Sequence, residues 1–381
     1  MRTVAQKLAP FGVSIFSEMT QLANAHQAVN LSQGFPDFDG PDWLKEAAVR
    51  AIREGPNQYA PSHGLPALRK AIADKTRRVY GLEYDADTEV TVLSGATEAI
   101  HSCFAGLLEA GDEVILFEPF YDSYPACAAM AGATLRYVPL RWPDMTFDDD
   151  ALATAFNERT RLIMVNTPNN PSGKVFTRAE LARIAELATQ HDAIVVTDEV
   201  YEHLLFDGRA HVCMASLPSM RERTVIISST AKTFSMTGWK IGYVLAPAPL
   251  AKAVRSAHQF VTFCSASPLQ AAMAEAVTRT EEYLPVLAHE YEERRRVMYD
   301  ILHDIGFGVR MPQGTYFILA DIRPFGFIDD VKFCRMLTTE HGVAAIPASA
   351  FYEHKEEGRF LVRFAFCKNV ETLREAGRRM H

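Results

Sequence analysis

The sequence predicts an α/β protein in which a parallel or mostly parallel sheet is covered on both faces by helices. Three observations carry that reading. Apolar β-type runs alternate with helix-period segments over ~200 residues. A run such as A-I-V-V-T-D (193–198) is apolar almost throughout, as a strand buried on both faces must be. Polar residues able to do chemistry follow the runs directly, at the strand ends where open α/β sheets bind ligands.

At 381 residues the chain exceeds one simple core. The expected layout is an N-terminal arm at 1–40, a large domain at 41–283 and a smaller α+β domain at 284–381. Its composition, 48% hydrophobic and 23% charged, is that of a soluble globular protein. A net charge of −8 argues against the basic face of a nucleic-acid binder, so small anionic ligands would need local cations. The six cysteines are dispersed, with no C-x-x-C pair and no His/Cys cluster at metal spacing, which points to reduced cysteines and no metal. M-R-T-V-A-Q-K-L-A-P lacks an apolar signal core, and no stretch reaches the ~18 apolar residues of a membrane span. The expected compartment is the cytoplasm.

In chain order, a helical pattern at 15–25 precedes V-N-L-S-Q-G-F-P-D-F, an extended loop punctuated by Gly34, Pro36 and Gly40. Helices are expected from Asp42 to about Gly55 and over Ala67–Tyr80, with Tyr59 in the loop between them. E-V-T-V-L then runs as an alternating strand into a helix through Ser94-Gly95-Ala96-Thr97. Small residues at such a turn expose the first free helix N–H groups, and the turn suits an anion or plain capping by Ser94, Thr97 and Glu98 equally well. A strand at Glu113–Phe117 leads to E-P-F-Y-D-S-Y, where Tyr121 is either a core aromatic or a ring-stacking one. Asp148–Asp150 begins a helix.

The strand Arg161–Asn166 opens N-T-P-N-N-P-S-G-K, a fixed turn whose side-chain amides, Asn170 among them, can face a ligand. After a helix at 178–189, A-I-V-V-T-D-E-V-Y puts Asp198 and Tyr201 at a strand's C-terminal edge. Thr224–Ile227 is the next strand, and Ser229, Thr230 and Ala231 leave open space around Lys232 at its end. An ammonium in a crowded, partly dry pocket loses its proton more easily, and the neutral amine can form a Schiff base with an aldehyde. Helices follow at 248–258, 267–279 and 283–305, the last with a basic E-R-R-R patch read as a solvated face balanced by its own glutamates. Beyond a helix at 330–341, R-F-L-V-R-F-A-F sets Arg363 on one face with Leu361 and Ala365. A charge on an apolar face needs a partner, and a guanidinium fits a carboxylate bidentately, so Arg363 is the expected substrate-carboxylate ligand.

S-S-T-A-K-T-F-S-M-T-G-W-K-I-G-Y (228–243) resembles the lysine signature of class I/II aminotransferases, fold type I of the pyridoxal-phosphate enzymes. Further motifs match in order from about residue 16 to 366, and T-G-W-K-I-G-Y is similar to the kynurenine, glutamine and methionine transaminase branch. The resemblance implies a mostly parallel seven-stranded sheet, pyridoxal 5′-phosphate carried on Lys232, and a homodimer with shared sites. Gly95, Ala96, Thr97, Ser229 and Lys240 would hold the phosphate, with the hydroxyl of Tyr59 reaching the partner's. Lys240 stands where most of the family has arginine, giving a point charge in place of a fork. Tyr121 would stack on the cofactor ring, Asp198 would keep its nitrogen protonated, and Asn170 and Tyr201 would bond its phenolic oxygen. The substrate carboxylate would meet Arg363, Asn170 and the Gly34 backbone, and its side chain would meet Phe16, with Phe263 and Cys264 entering from the partner.

The implied reaction moves the amino group of a neutral (methionine, glutamine, aromatic or kynurenine-like) amino acid to a 2-oxo acid. Alternatives on the same scaffold are a cysteine-conjugate C–S β-lyase and a succinyldiaminopimelate-type aminotransferase. A non-catalytic cofactor-binding regulator would need an added DNA-binding module, and the match begins too near residue 1 for one to be expected.

Overall fold

The computed structural model describes residues 4–12 and 14–381; residues 1–3 and 13, within the expected arm, lie outside the described residues. Strand β1 (Val29–Asn30) belongs to the N-terminal segment. The central part contributes β2 (Val90–Ser94), β3 (Glu113–Glu118), β4 (Thr134–Pro139), β5 (Thr160–Asn166), β6 (Ile194–Asp198), β7 (Thr224–Ser229) and β8 (Ile241–Leu245). They form one seven-stranded sheet in the order β2-β8-β7-β6-β5-β3-β4, with β8 antiparallel to both neighbours and the remaining pairs parallel.

Successive residues of these strands feed different cores, the period-2 signature of a strand covered on both sides. Leu162, Met164, Ile194, Val196, Val225 and Ile227 pack under the helices Gly95–Leu107 and Ala248–Val261. Ile163, Val165 and Val195 face the opposite way, toward Arg178–Gln190. Ile226 and Tyr243 on that second side meet Pro66–Tyr80 and Ser267–Thr278.

The C-terminal part adds β9 (Gly308–Val309), β10 (Phe317–Asp321), β11 (Val343–Ala344), β12 (Ile346–Pro347) and β13 (Leu361–Ala365). β12-β13-β10-β9 is a four-stranded antiparallel sheet, and β1 pairs in parallel with β11. The N-terminal loop is therefore tied to the C-terminal region, with Lys368 Nζ donating to the Phe35 carbonyl at 2.7 Å.

Several local expectations are corrected. Lys232 is not at a bare strand end: Thr230–Thr233 forms one helical turn, started by Ser229, whose Oγ accepts from the Ala231 N–H at 3.1 Å. The 89–94 strand is buried on both faces, because helices cover each side. Its following helix ends at Leu107. The long helix begins at Thr280, and its Glu290–Arg294 and Glu292–Arg296 pairs form at 3.1 and 2.7 Å. Its arginines are not all solvated, however: Arg295 is buried against Asp207 and the Phe206 ring, and Arg294 lies over Phe38. Among the described residues no helix is long and apolar enough to cross a membrane.

Candidate active site

In a mostly parallel sheet every crossover returns the chain to the same edge, so the C-terminal ends of β3, β5, β6 and β7 gather their following loops in one place. The antiparallel β8 begins where those strands end, which brings Lys240 to that edge, and Ser94 of β2 pairs with Ile241 beside it. A cavity of about 420 Å³ opens there. Gly95, Ala96, Thr97, Tyr121, Asn170, Asp198, Tyr201, Ser229, Lys232 and Lys240 line it, joined by Phe16 and Gly34 from the N-terminal segment and Arg363 from β13. Tyr59 is not brought in. It is 84% exposed, packed edge-on to Phe263 at 5.4 Å, and Phe263 and Cys264 also lie outside the cavity.

Lys232 is half-buried, and burial pulls its ammonium down to about 8, with Cys367 and Asp198 acting in the opposite direction. Its Nζ donates to the Tyr316 hydroxyl at 2.9 Å, and that hydroxyl donates in turn to the Gly34 carbonyl at 2.6 Å. Asp198 accepts from the Tyr124 hydroxyl at 2.7 Å and the Val200 N–H at 3.2 Å, yet burial outweighs both donors and raises its carboxyl to about 6. Among the described residues no cation is bonded to Asp198, and Lys232 acts on it only through space.

Arg363 is fully buried without a bonded carboxylate among the described residues. Its Nη1 donates to Asn170 Oδ1 at 2.9 Å and its Nη2 to the Ser32 carbonyl at 2.7 Å, while Nε has no partner. The rings of Phe317, Phe351 and Phe16 lie 4.1, 5.0 and 5.1 Å from the guanidinium. Burial lowers it to about 10. A charge so placed is costly unless a ligand anion completes it.

At the turn after β2 the expected capping by the Ser94 side chain is absent, and Glu98 reaches back instead. Glu98 Oε2 accepts the Ser94 N–H at 2.5 Å, and Gly95, Ala96 and Thr97 still line the cavity at the helix start. The approach of β8 to this turn requires Gly242, where a Cβ would fall 2.5 Å from the Gly95 carbonyl carbon and 2.6 Å from the Ala96 nitrogen. Lys240 is exposed at the rim, with its Nζ 3.3 Å from where a Cβ on Gly95 would lie.

The profile of the family "Aminotransferase class I and II" matches residues 26–379. The chain belongs to that family. Methionine aminotransferase of Escherichia coli K12 is 43% identical to it over 378 residues, covering 98% of this chain and 97% of the relative. Kynurenine–oxoglutarate transaminase 3 of Mus musculus is 39% identical, over 97% of this chain and 88% of its own length. The solved N-succinyldiaminopimelate aminotransferase from Mycobacterium tuberculosis superposes with a TM-score of 0.96 at 47% identity, over 99% of each chain.

This aminotransferase uses pyridoxal phosphate, as its class does. Its cavity fits that group on three counts. A buried amine has a lowered pKa, a buried carboxylate lacks a cation, and a helix start beside Ser229 and Lys240 suits a phosphate. Four positioned residues escaped the sequence reading: Tyr124 on Asp198, Tyr316 between Lys232 and Gly34, Asp122 in the cavity wall, and Gly242 under the turn. Tyr316 stands in an apolar run, and only the meeting of β10 with the N-terminal loop gives its hydroxyl a role.

Proposed function

We propose that this aminotransferase moves the amino group of a neutral L-amino acid, of the methionine, glutamine, aromatic or kynurenine-like kind, to a 2-oxo acid. One observation carries the reading. Among the described residues the cations lining the cavity are Lys232, Lys240 and Arg363. With Lys232 carrying the cofactor and Lys240 beside its phosphate, a single guanidinium is left for the α-carboxylate and none for a second one. Phe16, Tyr121 and Phe317 supply aromatic wall. Such a wall takes a thioether or a ring readily, whereas an unpartnered carboxylate there costs several kcal/mol. The names of the methionine and kynurenine relatives support the same donor class.

When bound, pyridoxal phosphate supplies the electron sink that lets the α-proton of the substrate leave. Lys232 would hold the cofactor, and its amine, poised near neutrality by burial, would serve as the base that takes the substrate α-proton. Tyr316 keeps that amine in place while bonded to the Gly34 loop. Arg363, Asn170 and Gly34 orient the α-carboxylate, and Phe16 meets the side chain. Asp198, backed by Tyr124, would hold a proton on the ring nitrogen; Tyr201 and Asn170 would bond the phenolic oxygen, and Tyr121 would supply aromatic contact to the ring. Gly95, Ala96, Thr97, Ser229 and Lys240 bind the phosphate.

A donor panel tests the function: methionine, glutamine, kynurenine and phenylalanine are expected to exceed aspartate in kcat/KM, with keto-acid acceptor required for turnover. Aspartate as the best donor would overturn it, and pyruvate with ammonia from a cysteine conjugate without acceptor would indicate the β-lyase. Borohydride reduction and peptide mapping are expected to find the pyridoxyl group on Lys232.

The active unit is proposed to be a cytoplasmic homodimer. Dispersed cysteines without disulfides suit a reducing compartment. Tyr59, Phe260 and Phe263 present 84%, 86% and 42% exposed aromatic surface, and Tyr59 lies outside its own chain's cavity. Mixing Tyr59→Phe and Lys232→Ala subunits is expected to restore activity through one intact site per mixed dimer; no recovery despite verified exchange would refute shared sites.

A further inference from the structure

Among the described residues Asp122 is the one acid besides Asp198 in the cavity wall, and nothing in the proposed chemistry uses it. It directly follows Tyr121 and stands at the N-cap of the helix Ser123–Ala131, yet its side chain makes no capping bond. It is not the bonded counter-ion of Arg363 either, whose terminal nitrogens go to Asn170 and the Ser32 carbonyl. The guanidinium acts on it only through space. Burial raises the Asp122 carboxyl, and the Arg363 charge and the Ser123 N–H offset that only in part.

A half-buried carboxylate on the wall of a ligand cavity has two effects on what enters. It repels another carboxylate at close range, where low dielectric makes like charges expensive, and it accepts a hydrogen bond from an N–H. Arg363 offsets that repulsion for the α-carboxylate, whereas a second carboxylate in the cavity finds no cation left among the described residues to offset it.

We propose that Asp122 is a specificity-determining residue that turns away donors and acceptors bearing a second carboxylate and favours side chains that end in an N–H, such as an amide or an aniline. The inference rests on the proposed function and deepens it, because the lack of a second cation leaves a distal carboxylate unpartnered, whereas Asp122 adds a direct repulsion to that cost. It also extends the selectivity to the 2-oxo acid, for which a monocarboxylate becomes the better acceptor.

The test uses the holoenzyme and its Asp122→Asn and Asp122→Glu variants, each checked for the visible cofactor band and for melting temperature. Two quantities are read. One is the ratio of kcat/KM for glutamate to that for methionine. The other is the Kd, by calorimetry, of a non-reacting dicarboxylate (succinate) and a monocarboxylate (3-phenylpropionate). In Asp122→Asn the glutamate-to-methionine ratio is expected to rise roughly tenfold to a hundredfold, mainly through KM, with succinate tightening and phenylpropionate following it much less. Asp122→Glu keeps the charge and is expected to keep the ratio low. An equal shift for both acids would assign Asp122 to tuning Arg363 and overturn the proposal, as would an unchanged ratio. The wild-type donor panel separately decides the proposed function, so an aspartate-preferring wild type and an unresponsive Asp122 variant are distinguishable failures.

Discussion

Two lysines of this protein, Lys75 buried and Lys232 half-buried, are treated in opposite ways. Lys75 meets Glu202 at 2.7 Å, and Glu202 also accepts from Ser228 at 2.7 Å, from Tyr243 at 3.2 Å and from the Tyr80 hydroxyl. Burial alone would lower Lys75 and raise Glu202, but their attraction prevails, leaving the lysine above and the carboxyl below their ordinary values. Lys232 has a phenol and, among the described residues, no bonded anion, and burial wins. Glu202 directly follows Tyr201, and Ser228 directly precedes Ser229, so cavity and ion pair share the same strand ends. Closed charge holds the fold, while open charge waits for ligands.

The largest expected effect is on the open side. Lys232→Ala should remove the lysine-linked visible band and lower turnover by ~10³-fold or more, the range expected for loss of a general base that also carries the cofactor. Steady-state and single-turnover rates check it, and retained turnover would end the contrast between the two lysines.

On the closed side, Lys75→Met should destabilise the protein by about 3–5 kcal/mol, because it strands a buried carboxylate. The double variant Lys75→Met with Glu202→Leu should lose much less than the two single changes summed, as read from urea unfolding. Equal and additive losses would mean that the pair is not coupled.

The two sites should also separate by pH in cofactor-free protein. Lys232 has a folded value near 8 against 10.5 ordinarily, so its burial penalty is complete below pH 8 and disappears as pH rises toward 10.5. Lys232→Met should therefore gain roughly 3 kcal/mol below pH 8, less whatever solvent reaching the cavity already relieves, and the gain should vanish near pH 10.5. Asp198, raised from 3.8 to about 6, costs stability as pH climbs through that interval. Glu202 behaves inversely: its lowered value gives stability that is lost as pH falls below 4.5. His203, held neutral at about 3 by burial, adds to that acid loss, since the unfolded chain takes up its proton near 6.5. Denaturant midpoints across pH measure these slopes, and parallel profiles for wild type and Lys232→Met would contradict the Lys232 assignment.

The smallest effect is expected at Tyr316. Tyr316→Phe removes the hydroxyl joining Lys232 to the Gly34 loop and should lower kcat roughly threefold to tenfold, the worth of one ordinary hydrogen bond. The cofactor band should remain, and a shift in the pH at which it changes would show that the phenol tunes the amine and does not merely fill space.

The sequence by itself determined the alternation of strands and helices, the strand end at Asp198, the turn carrying Asn170, and the unusual charge at Arg363. These are local signals: side-chain period, turn residues and a charge in an apolar strand are set by neighbours along the chain. Tertiary structure decided the rest. The antiparallel β8 carries Lys240 to the edge used by parallel strands, and Gly242 lets that strand touch the Gly95 turn. Arg363 meets Asn170 across 193 residues, and the Tyr316 hydroxyl meets Gly34 across 282. Whether a buried charge is closed, like Lys75, or open, like Lys232, depends on partners that no local pattern specifies, because the Coulomb attraction that decides it acts through space between segments brought together only by folding.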